Sequence, residues 1–300
     1  MVQGGLRHLN LNDITIFIRT EMPMINALAI DTEEWFHSEL LGGQRPPIFQ
    51  APEATQQVLD LLDRYQTKGT FFIVGEVAER HPDLVRAIFE RGHEIGCHGF
   101  SHQPLWKLSE DLFREELRRF HSTVEGILGK VPVKGFRAPC FSLDNRTKWA
   151  LRVLVDFGYQ YDASIFPVKL NPLYGVSGAP MQPYRISLKD VREEDPTSPL
   201  MEFPTPPLKL GKLKIPIAGG FYLRILPLPF LYWGLKKINR KQPFLLYFHP
   251  WEGYPETPRL KLSFTNRLIS YYGIHSALKK LESLLNHFKF ARVDQILGLR

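Results

Sequence analysis

The sequence predicts an α/β protein: a (β/α) barrel of seven or eight strands in one domain, with a single Pro/Gly-rich insertion. Three observations predict it. Short apolar runs alternate with segments of helical spacing, joined by short connections, which implies parallel strands covered by helices. Chemically competent polar residues recur at the ends of those runs, where parallel α/β folds carry their sites. The chain has 300 residues, 44% apolar and 23% charged, an ordinary globular composition with enough apolar residues for one large core.

Residues 1–24 read as an N-terminal extension. Polar residues are interspersed throughout them, and they lack the continuous apolar core of a signal peptide. No later segment is long and apolar enough to span a bilayer, so the expectation is a cytoplasmic protein without a transmembrane segment. "ALAID" (27–31) is a buried strand, and "APEATQQVLDLLDRYQTKG" (51–69) follows with helical spacing and Gly69 at its stop. "TFFIVG" is a second strand. "HPDLVRAIFERG" is a helix with Pro82 in its first turn and Gly92 at its end. "HEIGCH" is a third strand. Ser109 opens a long amphipathic helix with Leu112, Leu117, Phe120, Val124 and Leu128 on its apolar side. "VKGFRAP" is a strand, "DNRTKWALRVLVDFG" a helix and "YQYDASI" a strand. Asn171 to Ile217 break the rhythm as a Pro/Gly-rich excursion carrying one or two extra strands, such as "LMEFP". "PFLLYFHPWE" restores it as a strand, helix follows from Phe264, and "FARVDQIL" closes the chain.

The formal net charge is +7, with Lys and Arg spread out and densest in "LKKINRK" (235–241). That surplus suits nucleic acid, an acidic polymer or an anionic membrane surface, and no nucleic-acid motif accompanies it, so no nucleic-acid partner is expected. The stretch Phe221–Lys237 could touch a membrane face peripherally, but its prolines favour a packed loop and helix. Cys97 and Cys140 are the only cysteines and suggest no disulfide framework; Cys97 reads as a small buried residue.

The candidate site lies at the strand ends. Asp31 ends the first strand, His98 the third, Arg137 the fourth and His249 the strand "LLYFH", while Asp162 lies in the fifth. Strand parity points Asp31 and Glu33 to one side and Glu34 to the other. Asp31 and Glu33 are therefore the working pair, one able to ligate an ion while the other takes a proton, and Glu34 supports them or is solvated. His98 and His102, four apart in "HGFSH", can converge on one ion. Two imidazoles and a carboxylate leave positions open for water and substrate.

The order "AIDTEEW", "GHEIGCHGFSH", "GFRAP", "YDASIFP", "LLYFHPWE" resembles the polysaccharide deacetylase family, also called the NodB-homology or carbohydrate esterase family four domain. "GGFYLRILP" and the C-terminal "LISYYGIHSALKKLESLLNHFKFARV" resemble the branch found in bacterial exopolysaccharide loci. The resemblance runs from about Ala27 to the C-terminus and places residues 25–300 in one domain. It implies a distorted (β/α) barrel, one divalent metal, usually zinc, and removal of N-acetyl groups from amino sugars of a polysaccharide or its lipid-linked precursor. Where the family has two adjacent acids, this chain has Asp31 followed by Thr32, and the acid one residue on, Glu33, matches the branch. The resemblance then makes Asp31 the general base and Glu33, His98 and His102 the metal ligands. Arg137 pairs with the base, the Cys140 backbone N–H faces the oxyanion, and His249 is the general acid with Asp162 as its carboxylate partner. Phe141, Tyr161 and Trp251 would wall the sugar groove. Two other readings belong to the same motifs: a metal-independent C–N hydrolase acting on a small amide or ureide, and a catalytically silent carbohydrate-binding protein.

Overall fold

The computed structural model describes residues 24–38, 41, 44–169 and 175–299. The N-terminal extension, except Met24, and residues 171–174 of the excursion lie outside them. Eight strands form a curled mixed sheet: β1 (Ile25–Thr32), β2 (Thr70–Ile73), β3 (Glu94–Cys97), β4 (Gly135–Phe136), β5 (Tyr161–Asp162), β6 (Tyr184–Arg185), β7 (Met201–Glu202) and, after a two-stranded ribbon of β8 (Leu208–Leu210) and β9 (Leu213–Ile215), β10 (Leu245–Phe248). Their spatial order is β10-β1-β2-β3-β4-β5-β7-β6, and a ninth strand, β11 (Lys289–Ala291), pairs with the start of β1. Every pair from β10 to β7 is parallel, and only β6 runs antiparallel to its neighbour. Among the described residues β10 and β6 stay unpaired with each other, so the barrel is open. The extra strand expected at "LMEFP" is β7.

The two-residue period of the strands separates two cores. Leu28, Ile30, Phe71, Ile73, Ile95, Cys97, Phe136 and Leu246 pack outward beneath the helices. Ala27, Ala29, Phe72, Tyr161, Ala163, Phe203, Leu245 and Tyr247 fill the barrel's interior, where β1 supplies only methyl groups and neighbouring strands supply rings. Asp31 continues the inward series of β1, and His249 continues that of β10. Inward groups at the C-terminal strand ends thus converge without further instruction.

The helices follow the periodicity with local departures. Helix α1 (Ala51–Arg64) ends five residues before Gly69, where Gln66 takes a positive φ of 48°. A short α2 (Gly75–Arg80) precedes α3 (Pro82–Glu90), which starts at Pro82 as the sequence indicates. In α4 (Glu110–Leu128) the Ser109 hydroxyl accepts from Leu112 N–H, but Leu112 itself is 55% exposed and Phe113 takes the buried place assigned to it. After α5 (Trp149–Asp156), the stretch Phe221–Lys237 forms the end of α6 (Gly220–Ile225) and most of α7 (Leu228–Asn239). Helices α8 (Phe264–Tyr271) and α9 (Ile274–His287) break at Gly273, and α10 (Val293–Ile296) closes the chain. Among the described residues no helix is long and apolar enough to cross a membrane.

Candidate active site

Asp31 is 3% exposed at the end of β1. Its Oδ2 accepts from Arg137 Nε at 2.9 Å. Arg137 follows β4, is 1% exposed, donates a second bond to the Ala163 carbonyl, and lies 4.8 Å from the ring centres of both Phe141 and Tyr247. A guanidinium fixed on three sides keeps the carboxylate in place. Asp31 Oδ1 is buried with no hydrogen-bond partner among the described residues.

His249 faces this pair. Its Nε2 is 3.7 Å from Asp31 Oδ2 and 3.8 Å from Glu33 Oε1, and its Nδ1 is 2.9 Å from Glu252 Oε2. Burial pushes the imidazole's pKa down, but the carboxylates of Glu252, Glu33 and Asp31 outweigh it and carry it up to about 9. A protonated imidazole with both nitrogens aimed at carboxylates is a proton donor at neutral pH. Glu252 is in turn held by Arg224 Nε at 3.0 Å; burial pushes its carboxyl up, but Arg224 and His249 outweigh that and leave it below the usual range.

Glu33, His98 and His102 stand beside Asp31. Glu33 Oε2 is 2.7 Å from His102 Nε2, and Glu33 Oε1 accepts from Trp251 Nε1 at 3.0 Å. Burial raises the Glu33 carboxyl, but His102, His249 and His37 hold it well below the ordinary carboxylate range. His98 Nδ1 is 2.6 Å from the Arg137 carbonyl. A carbonyl only accepts, so Nδ1 carries the proton and Nε2 keeps its lone pair. Burial holds the His98 pKa down at about 4, leaving the ring neutral as a ligand must be. The loop carrying His102 (φ 56°) is clamped by Glu116 of α4, which accepts from Phe100 N–H, Ser101 N–H and the Ser101 hydroxyl.

Three ligand atoms from Glu33, His37 and His102 lie within 4.8 Å of one another. His37 has no place in the sequence reading. Its ring stacks on His102 with centroids 5.0 Å apart, and its Nδ1 accepts from Glu34 N–H at 3.2 Å. That bond puts the His37 proton on Nε2, so His37 braces His102, while His98 presents a lone pair. The donor set, one carboxylate and two imidazoles around buried oxygens without partners, fits a divalent cation of the zinc type.

Four expectations change. Asp162 does not reach His249: parity turns it to the outer side of β5, where it accepts from Ser164 N–H and the Ser164 hydroxyl and lies beside Glu202. Burial raises both carboxyls, and Ser164 passes the contact on by accepting from Ala138 N–H, so Asp162 braces the "RAP" loop instead. The partner of His249 is Glu252, three residues on in the same turn. Tyr161 is 0% exposed inside the barrel, its hydroxyl donating to Glu94, and so cannot wall an open groove. Trp251 is largely buried, stacks on His249 and orients Glu33. Glu34 is 2% exposed rather than solvated, its carboxylate accepting from Gln50 N–H and Ala51 N–H at the start of α1.

Cys140 is half-buried and, with Phe141, holds positive φ (58° and 49°) in the turn after Arg137. Two successive non-glycine residues in this region store strain of about 1–3 kcal/mol each and commonly mark functional turns. Phe141 stacks on Phe166 at 5.2 Å and is half-buried. Tyr247, Glu252, Arg224 and Glu116 were missed by sequence reading. Parity along "LLYFH" could have found Tyr247, and the i+3 spacing could have found Glu252.

Comparison with known proteins separates two regions. Residues 45–161 match the family described as polysaccharide deacetylase, and residues 163–298 match a domain of unknown function, DUF3473. A peptidoglycan-N-acetylglucosamine deacetylase from Bacillus cereus is 38% identical over 33% of this chain and 36% of its own length. A peptidoglycan deacetylase-like protein from Gibberella zeae is 30% identical over 61% of this chain and 52% of its own length. The matches thus span only about a third to a half of these relatives. A solved Mycobacterium smegmatis structure assigned to the polysaccharide deacetylases superposes with a TM-score of 0.57 at 22% identity, covering 93% of this chain and 92% of that one, and shares the fold.

Proposed function

We propose, from a chain whose residues 45–161 belong to the polysaccharide deacetylase family, that the protein hydrolyses N-acetyl groups from amino sugars of a glycan or of its lipid-linked precursor. The observation that carries the reading is the facing pair of a base held by Arg137 and an acid held by Glu252, 3.7 Å apart, with a cation donor set alongside. Glu33, His98 and His102 would hold one divalent metal, zinc by donor type. When bound, it would polarise the acetamide carbonyl and acidify water.

The chain's own residues do the rest. Asp31, oriented by Arg137, takes a proton from water as the water oxygen bonds to the acetamide carbon. The Cys140 N–H offers a donor to the oxygen where charge develops, a contribution of about 3–4 kcal/mol in comparable sites. His249 gives its proton to the nitrogen as the C–N bond breaks, leaving a free amine and acetate. Phe141 and Tyr247 pack their rings against Arg137 and hold it in place.

Acetate release from N-acetylglucosamine oligosaccharides, with metal content measured on the same sample, tests this. Release that disappears in Asp31→Asn and on chelation supports it. Activity surviving both points to a metal-independent C–N hydrolase, and glycan binding without release points to a silent binder.

A further inference from the structure

A cavity of about 530 Å³ opens beside the candidate site, at the same end of the sheet. His37 belongs to both: its ring stacks on His102 and also lines the cavity. The loops after β1, β2 and β3 build the walls, with α4 closing the side. Three arginines line it: Arg45, Arg80 and Arg119. Arg45 is committed to Glu76 at 2.8 Å and to the Ser101 carbonyl at 3.0 Å. Arg80 and Arg119 have no carboxylate within ion-pair distance among the described residues. Each instead sits over a ring of the cavity wall, the Arg80 guanidinium carbon 3.7 Å from the centre of Phe49 and that of Arg119 3.8 Å from the centre of Phe100.

A guanidinium seated over a ring keeps N–H donors for a further partner, and its planar fork is suited to a carboxylate. The cavity's acids do not cancel these charges. Glu76 is spent on Arg45, Glu34 turns Oε2 to the start of α1 and Oε1 towards His81 Nε2 at 3.5 Å, and neither Glu34 nor exposed Glu79 is within ion-pair distance of Arg80 or Arg119. The volume lies within the range of small-ligand sites and exceeds what one cation or water cluster needs.

We propose that this cavity is a subsite for an acidic sugar residue of the glycan, its carboxylate held by Arg80 and Arg119, next to the residue that carries the N-acetyl group. The substrate class is then an anionic polysaccharide in which uronate-type residues neighbour N-acetylated amino sugars. The proposal rests on the reading of the adjoining site as one that acts on a glycan.

Titration calorimetry of the full chain tests it, comparing a tetrasaccharide of alternating glucuronate and N-acetylglucosamine with an N-acetylglucosamine tetrasaccharide. The uronate ligand should bind about ten-fold more tightly, and the preference should vanish in Arg80→Gln/Arg119→Gln. Thermal melting establishes that the double variant is folded; if it is not, Arg119→Gln alone, on the exposed side of α4, should still cut the preference about three-fold. Equal affinity for the two ligands, no binding of the uronate ligand, or a preference untouched in the folded variants overturns the subsite. An arginine-dependent preference without acetate release from either ligand overturns the hydrolase reading and leaves the subsite standing.

Discussion

At the residue scale, one ionisable group answers to several neighbours, and those neighbours set its role. His249 carries a proton at neutral pH because Glu252, Glu33 and Asp31 surround it. A general acid is lost as pH rises through its pKa, so in the proposed role His249 should set the alkaline limb of kcat/KM. Glu252→Gln removes the nearest carboxylate and should move that limb to lower pH, which a pH–rate profile will read; an unmoved limb would assign the proton elsewhere. Asp31→Asn should lower kcat by roughly 10²–10⁴-fold, the usual yield of one positioned base, with the melting temperature little changed. Tyr161 makes the opposite case. Its hydroxyl satisfies Glu94 inside the barrel, so Tyr161→Phe should cost about 1–3 kcal/mol in denaturant unfolding and leave KM unchanged.

At the scale of elements, the site depends on close approaches that only small residues permit. At the start of α6 a Cβ on Gly219 would sit 2.2 Å from the Tyr247 ring, and one on Gly220 would sit 1.5 Å from Glu252 Oε2. The "GG" of "GGFYLRILP" is therefore the space in which the His249 partner stands. Gly220→Ala should displace Glu252, lowering acetate release at least as far as Glu252→Gln does and lowering the melting temperature as well; thermal melts alongside initial rates separate it from a purely catalytic loss. The same helix supplies Arg224, which ties Glu252 to the α8–α9 junction through the Tyr272 and Ile269 carbonyls. The His249–Glu252 side of the site is thus built by the DUF3473 region, and His98, His102 and Arg137 by the region matching polysaccharide deacetylases.

At the scale of the whole molecule, one sheet joins what the family models divide. β10 and β11, from the C-terminal part, both pair with β1. The barrel's lower end is sealed by Glu94, whose carboxyl accepts from the Thr70 hydroxyl, the Tyr161 hydroxyl and Asp294 N–H of α10. Burial first, and Asp294 second, raise its pKa from 4.5 to about 7. The folded state then binds a proton more tightly than the unfolded chain. This contribution is full below pH 4.5 and is lost as pH rises towards 7, a change of about 3 kcal/mol. Stability measured by denaturant between pH 4.5 and 7 should show that fall, superimposed on other groups, and Glu94→Gln should remove it.

The sequence alone determined the alternation of strand and helix, because buried strands and amphipathic helices have different periods and each is legible within a few residues. It also determined which residue types crowd the C-terminal strand ends: Asp31, Glu33, His98, His102, Arg137 and His249. Their partners were harder to read. The Asp162 assignment ignored that strand's own parity, which sets Tyr161 inward and Asp162 outward. Glu252, Arg224 and Glu116 act through turns and helices whose docking no local pattern records. Only the tertiary structure decided those pairings, since a carboxylate's partner is set by which elements pack together, up to 28 residues apart along the chain for Arg224 and Glu252 and 106 for Asp31 and Arg137.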